Sequence, residues 1–364
     1  MSDARLLVDC LRFNPVPVAA ALAKRWSRGN ACALVTLAER EGAALWLHRR
    51  LRALGVMIPA EGAELLSSAA RRIAAQSLRV DEEAFTALAV LDEAGIQAVP
   101  LKAAAMRRIA KRVPFADARA TSDVDLLVRA CDADRAWHLF TERGYSAPRT
   151  AAGNSHHLPG LFGAMGVAVE LHVSTTPTVA PDEAWRRATC DGTVADVNGV
   201  SRTVPGDTEL LWHAVAHAQA HMNDSGQALR LRSWLDASAL LAADAAIDWE
   251  RIRRRIESPE CVDPGLTRAW LCVASDLAGR PLPAGALGSE SVHRIDLMRL
   301  LAWRLHVSAR YPAGGRWARK LADEGARGEA RLGVQPAGVC DGHVQRVRHA
   351  LACRAARAWW RIRR

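Results

Sequence analysis

Two short runs combine acids with strand-like alternation: DVDLLV at 123–128 and VAVELHV at 167–173. Successive side chains of a strand point to opposite faces. Asp123, Asp125 and Leu127 then share one face, and Val124, Leu126 and Val128 share the other. In the second run Val167, Val169, Leu171 and Val173 form an apolar face, with Glu170 and His172 opposite. Like charges at neighbouring same-face positions repel unless something positive sits between them. Asp123, Asp125 and Glu170, on two strands of one small sheet, form a cluster able to hold two divalent cations. Such a pair clamps the attacking and leaving oxygens in phosphoryl or nucleotidyl transfer. Oxygen-only ligation favours Mg2+ or Mn2+ over zinc. The competing expectation is a wet strand end, with Glu170 paired to an arginine. Asp-x-Asp alone is too short and common to decide.

Further along, His213, His217 and His221 recur at i, i+4 and i+8 on one helix face, which suggests zinc ligation. No adjacent glutamate accompanies them, and Trp212 and Val215 give the face core character, so a packing or pocket-wall role is expected. Arg232 and Asp236 stand at i, i+4 and are expected to form a structural ion pair.

The elements that must position these residues follow from periodicity. Residues 1–95 read as helices, with Gly55 and Gly95 as stops. IQAVPL is a short β-type run, followed by a basic helix from about Lys102 to Arg112 and a loop through Pro114. After the DVDLLV strand comes a helix from about Asp132 to Arg143, a loop with His156 and His157, and the GVAVELHVS strand. Strands separated by helices imply an α/β unit in mid-chain. From Asp207 or Thr208, a good N-cap, the chain returns to helix. PLPAGALGS, near 281–289, reads as a linker. No internal repeat is evident.

With 364 residues and half of them hydrophobic, the chain is neither disordered nor too short for a large core. Its formal net charge is +10, which suits an anionic partner. Arginine supplies most of that charge; lysine occurs only at Lys24, Lys102, Lys111 and Lys320. Eight scattered cysteines without Cys-x-x-Cys spacing suggest reduced thiols in a cytoplasmic protein. The N-terminus lacks a signal-peptide pattern, and no apolar run approaches the ~20 residues of a membrane span.

Taken in order, VPLKAAAMRRI, RATSDVDLLV and VAVELHVS resemble the DNA polymerase β-like nucleotidyltransferase superfamily. More closely, the chain is similar to the bacterial family known as uncharacterised nucleotidyltransferases. That family shows a Leu-Lys-Gly turn, an Arg before an Asp-x-Asp strand, and a Glu-Leu-His strand. The likeness continues into TELLWHAVAHAQAH and RSWLDASALL and covers roughly residues 15–285. It implies an α+β, mostly helical fold: a small mixed-sheet core at 96–205 between helical regions at 1–95 and 206–285, with a basic helical region at 286–364.

It also implies that Asp123 and Asp125 ligate both metals, and that Glu170 ligates the catalytic metal and helps deprotonate an acceptor hydroxyl. Lys102, Ala103, Arg119 and Ser122 would bind nucleotide, with Arg119 reaching the β/γ phosphates or neutralising the carboxylates. His172, His217, Arg232 and Asp236 would line the pocket. Ala103 replaces the family's glycine, and a Cβ there would limit a triphosphate's approach. The implied reaction moves a nucleotidyl group from an NTP to an acceptor hydroxyl of a small molecule, peptide or polysaccharide precursor, releasing pyrophosphate. The alternatives are a catalytically impaired nucleotide-binding or scaffold protein, or an RNA-binding protein using the Arg-rich tail at 341–364. Nucleic acid is the less favoured partner, because that tail also reads as a solvated helix packed through Trp359.

Overall fold

The computed structural model describes residues 3–13, 28–147, 156–197, 200–224, 231–243, 245–262 and 264–288. They form four helices, α1 (Asp3–Leu11), α2 (Arg28–Arg40), α3 (Ala44–Ala53) and α4 (Ala60–Glu93), before the first strand. The centre holds β1 (Ala98–Pro100), α5 (Lys102–Arg108), β2 (Asp123–Val128), α6 (Ala133–Glu142), β3 (Leu161–Phe162), β4 (Ala168–His172) and α7 (Pro181–Cys190). A hairpin, β5 (Thr193–Val197) and β6 (Val200–Val204), leads into α8 (Asp207–Asp224), α9 (Leu231–Ala242), α10 (Trp249–Glu257) and α11 (Pro264–Ala278).

The four-stranded sheet runs β1-β2-β4-β3; β2 and β4 are parallel, and the outer pairs are antiparallel. The alternation read from the sequence sorts its faces as expected. Val124, Leu126, Val128, Val169 and Leu171 are buried in one apolar cluster with the second half of α4 and with Ala133, Ala136 and Phe140 around α6. On the opposite face Val99, Leu101 and Leu127 pack against Trp185 and Ala188 of α7. That smaller cluster leaves the rest of the face to the polar residues.

The 34-residue α4, about 51 Å long at 1.5 Å per residue, ties the sheet to the helices. Leu66, Ala69 and Ala70 near its start belong to the large helical core, whereas Val80, Ala84, Leu88 and Leu91 pack under the sheet. It stops where the glycine signal places the stop. Gly95 adopts φ 68°, its N–H donates to Asp92 O, and Ile96 N–H returns to Leu91 O, both at 2.8 Å. The helices before and after the sheet are not separate bodies. Leu7, Leu34 and Trp46 share one apolar cluster with Leu211, Trp234, Trp270 and Leu277.

The structure departs from the sequence pattern in two places. The helix opening at Lys102 ends at Arg108 rather than near Arg112. Pro114 disfavours helical backbone at Val113, and the chain turns through a left-handed Phe115 with φ 59°. The second departure is α7 and the β5–β6 hairpin, which lie outside the expectations. Asn198-Gly199 was their signal, together with Pro181 ahead of two acids. Among the described residues no helix is long and apolar enough to cross a membrane. The basic tail at 341–364, and the chain from 289 onward, lie outside the described residues.

Candidate active site

The sheet brings the acids of the two runs together through its register. Asp125 stands opposite Glu170 across the parallel β2–β4 pair, and Leu127 opposite His172. Asp125 is only 1% exposed. Its Oδ1 accepts from Lys102 Nζ at 2.6 Å and from His172 Nε2 at 2.9 Å. His172 is fully buried, and its Nε2 also lies 3.5 Å from Glu170 Oε2. The positive group that the Asp-x-Asp spacing demands is therefore present within the chain. It is Lys102, aided by His172.

Backbone geometry explains why Lys102 can reach. Leu101 N–H donates to Asp125 O at 2.9 Å, which fixes the β1–α5 junction directly beside Asp125. Lys102 itself takes φ 46°, a left-handed conformation disfavoured for residues with a Cβ. Buried Leu101 and Ala103 on either side hold it there. The conformational demand that a glycine meets elsewhere thus falls on Lys102. Ala103 lies fully buried in the first turn of α5.

The proton affinities of the cluster diverge. Burial opposes ionisation of Asp125, but Lys102 and then the His172 bond outweigh it and hold the carboxyl well below the usual range. Asp123 moves the other way, raised by burial and by the nearby charge of Asp125. Its Oδ1 is 3.2 Å from Thr121 Oγ1, which donates to it. Glu170 is lowered chiefly by its bond to His172. His172 is raised: burial and Lys102 disfavour its charge, but bonds to Asp125 and Glu170 prevail.

Asp125, Glu170 and His172 each offer a ligand atom, all within 4.8 Å of one another. Two carboxylates and an imidazole suit a divalent cation. The set differs from the expected Asp123, Asp125 and Glu170 by holding His172 in place of Asp123, and an imidazole suits Mn2+ and its transition-metal neighbours better than Mg2+. Asp123 borders this set, and Ser122 beside it is exposed.

Around the cluster, half-buried Arg119 donates from Nε to Asp236 Oδ2 at 2.6 Å and feels the charges of Asp123 and Asp125. Asp236 of α9, expected to pair with Arg232, thus pairs with Arg119. Arg232 Nη1 donates to Ala120 O at 3.4 Å and adds its charge near Asp236. His213 of α8 is buried and its pKa falls to about 3, through burial first and then the charges of Lys102 and His172. Its helix, α8, packs against α5, which Lys102 opens. His217 lies one turn on, its ring 5.5 Å from that of His213, while the His221 side chain lies outside the described residues. The adjacent histidines were less legible. His157 pairs with His172 through an isolated β-bridge, and the His156, His157 and His172 rings lie 4.9–5.8 Å apart. The His-His pair fifteen residues before His172 was the only signal.

The register of β2 on β4 and the β1–α5 junction thus gather Asp125, Glu170, His172 and Lys102 into one carboxylate–imidazole–amine cluster. Residues 28–274 match the model of the family described as uncharacterised nucleotidyltransferase, and the chain belongs to that family. No curated protein and no solved structure matches the chain.

Proposed function

We propose that this nucleotidyltransferase transfers a nucleotidyl group from ATP or another nucleoside triphosphate to an acceptor hydroxyl, releasing pyrophosphate. The acceptor class is a small molecule, peptide or polysaccharide precursor, as the polymerase β-like resemblance implies. The observation that carries the reading is the Asp125–Glu170–His172 cluster beside Lys102. Asp125, Glu170 and His172, once His172 Nε2 has released its proton, would with Asp123 adjoining hold Mg2+ or Mn2+, which would neutralise phosphate charge and lower the pKa of a coordinated hydroxyl.

The remaining work falls to the chain. Asp125 stays ionised across the physiological range because Lys102 and His172 hold its proton affinity down. Glu170 is kept ionised by His172 and accepts the proton of the acceptor hydroxyl. Lys102 and Arg119 supply fixed positive charge for the triphosphate, with Arg119 oriented by Asp236. Ser122, exposed beside Asp123, offers a hydroxyl to a phosphate oxygen. His213 and His217 wall the site and keep water from Asp125. All six described cysteines are free, which favours a reducing, cytoplasmic setting. The test is calorimetric titration of ATP with Mg2+ or Mn2+ into the wild type and Asp125→Asn. Metal-dependent binding that Asp125→Asn abolishes is expected; binding independent of both metal and Asp125 would refute the reading.

A further inference from the structure

A cavity of about 370 Å³ lies between α7 and α10, and its walls include none of Lys102, Asp123, Asp125, Glu170 or His172. Five arginines line it: Arg186, Arg187, Arg251, Arg254 and Arg255. Three carboxylates face them, and Glu209 behind the wall pairs with Arg255, so one positive charge of the lining, that of Arg254, is left uncompensated. Arg186 and Arg187 both bond Glu183, and Arg187 also grips both oxygens of Glu260 at 2.7 and 2.8 Å. Arg251 pairs with Asp191. These bonds, Arg186's foremost, pull the Glu183 carboxyl down to about 2.

The remaining two arginines are under-used. Arg254 is exposed and makes no ion pair or hydrogen bond among the described residues. Arg255 is 6% exposed and gives Nη2 to Glu209 at 2.6 Å, yet its Nη1 is buried with no hydrogen-bond partner among the described residues. An unsatisfied buried guanidinium nitrogen is costly. A lattice serving stability alone would match its charges and satisfy that donor.

We propose that this cavity is a second binding site, for a phosphate monoester of a small polar molecule such as a sugar. A phosphate monoester carries about −1.5 to −2 charge at neutral pH, which would meet the unmatched charge of Arg254 and accept from the unsatisfied Nη1 of Arg255. Planar guanidinium forks match phosphate oxygens in pairs. The volume lies at the scale of small-molecule sites and exceeds what a bare anion fills. Asp191 and Glu260 are acceptors for the hydroxyls of the organic part.

Calorimetry on the full chain tests this with a hexose phosphate, the parent hexose and inorganic phosphate, all in excess chelator so that metal-dependent binding at the catalytic cluster is silent. The hexose phosphate is expected to bind, the parent hexose not at all, and inorganic phosphate more weakly. Arg254→Ala and Arg251→Ala should each weaken hexose phosphate binding by about tenfold or more, the value of one charged hydrogen bond, without lowering the melting temperature appreciably. Asp125→Asn should leave this binding unchanged, which separates it from the nucleotide reading. The proposal fails if the hexose phosphate gives no heat, or if the parent hexose or inorganic phosphate binds equally well. It also fails if Arg254→Ala has no effect, or if Asp125→Asn abolishes the signal.

Discussion

On β2, Val124, Leu126 and Val128 are wholly buried beneath α4 and α6, while Asp123 and Asp125, each one residue away, lie on the face of Lys102 and His172. The first face gathers apolar area and stabilises the fold in proportion to it. The second face gathers like charges in a water-poor setting, and Lys102, His172 and Arg119 keep that tolerable. On the proposed reading, one strand separates what holds the protein together from what the protein does. Changes on the apolar face should cost stability and leave the chemistry of folded molecules intact. Changes on the charged face should cost chemistry first.

The largest effect is expected at Asp125, where the two categories meet. Asp125→Asn should lower turnover by about a thousandfold or more, since the clamp contributes several kcal/mol to the transition state. It also strips Lys102 of its partner, so a loss of about 3 kcal/mol in denaturant unfolding is expected, as when a buried pair is broken from one side. Relief of repulsion with Asp123 would favour the opposite sign. The 2.6 Å contact with Lys102 decides against it.

Glu170→Gln sharpens the contrast. Glu170 is partly exposed and its nearest cationic group is His172, so unfolding should barely change while turnover falls by about a hundredfold. Leu126→Ala is the mirror case. A stability loss of about 3 kcal/mol is expected by urea unfolding, with kcat per folded molecule unchanged. Equal kcat losses from Leu126→Ala and Glu170→Gln would break the division between the faces.

A smaller effect concerns pH. His172 has a raised folded-state pKa, so its contribution to stability is complete below about 6.5, its unfolded value, and disappears as pH rises through the folded value. Asp125 has the opposite sign: its contribution is present above about 3.8 and is lost as pH falls. Melting profiles of the wild type and His172→Gln should therefore converge at alkaline pH and separate as pH falls toward 6.5. A gap that widens with rising pH would contradict the charged imidazole. The smallest effect is Ala103→Gly. With the left-handed residue at Lys102, the glycine should cost about 1 kcal/mol of stability and leave nucleotide affinity unchanged.

Much of this division was legible in the sequence. The period-2 pattern assigned Val124 and Asp125 to opposite faces, and Gly95 marked the end of α4. The partners of Asp125 were not legible as contacts. That Lys102 bonds it depends on a left-handed backbone angle and on Leu101 pairing with the same residue, and neither leaves a compositional trace. Likewise Asp236 carries its helical partner Arg232 four residues away, yet a longer-range partner, Arg119, takes the bond. Local spacing proposes pairs; tertiary packing chooses among them.

The most direct test of nucleotidyl transfer follows the label. The wild type and Asp125→Asn would be incubated with Mg2+ or Mn2+, a small-molecule and peptide extract as acceptor, and ATP labelled on the α-phosphate in one arm and the γ-phosphate in the other. Nucleotidyl transfer places the α label on an acceptor and the γ label in pyrophosphate, in the wild type alone. A γ label on the acceptor, or equal transfer by Asp125→Asn, would contradict it.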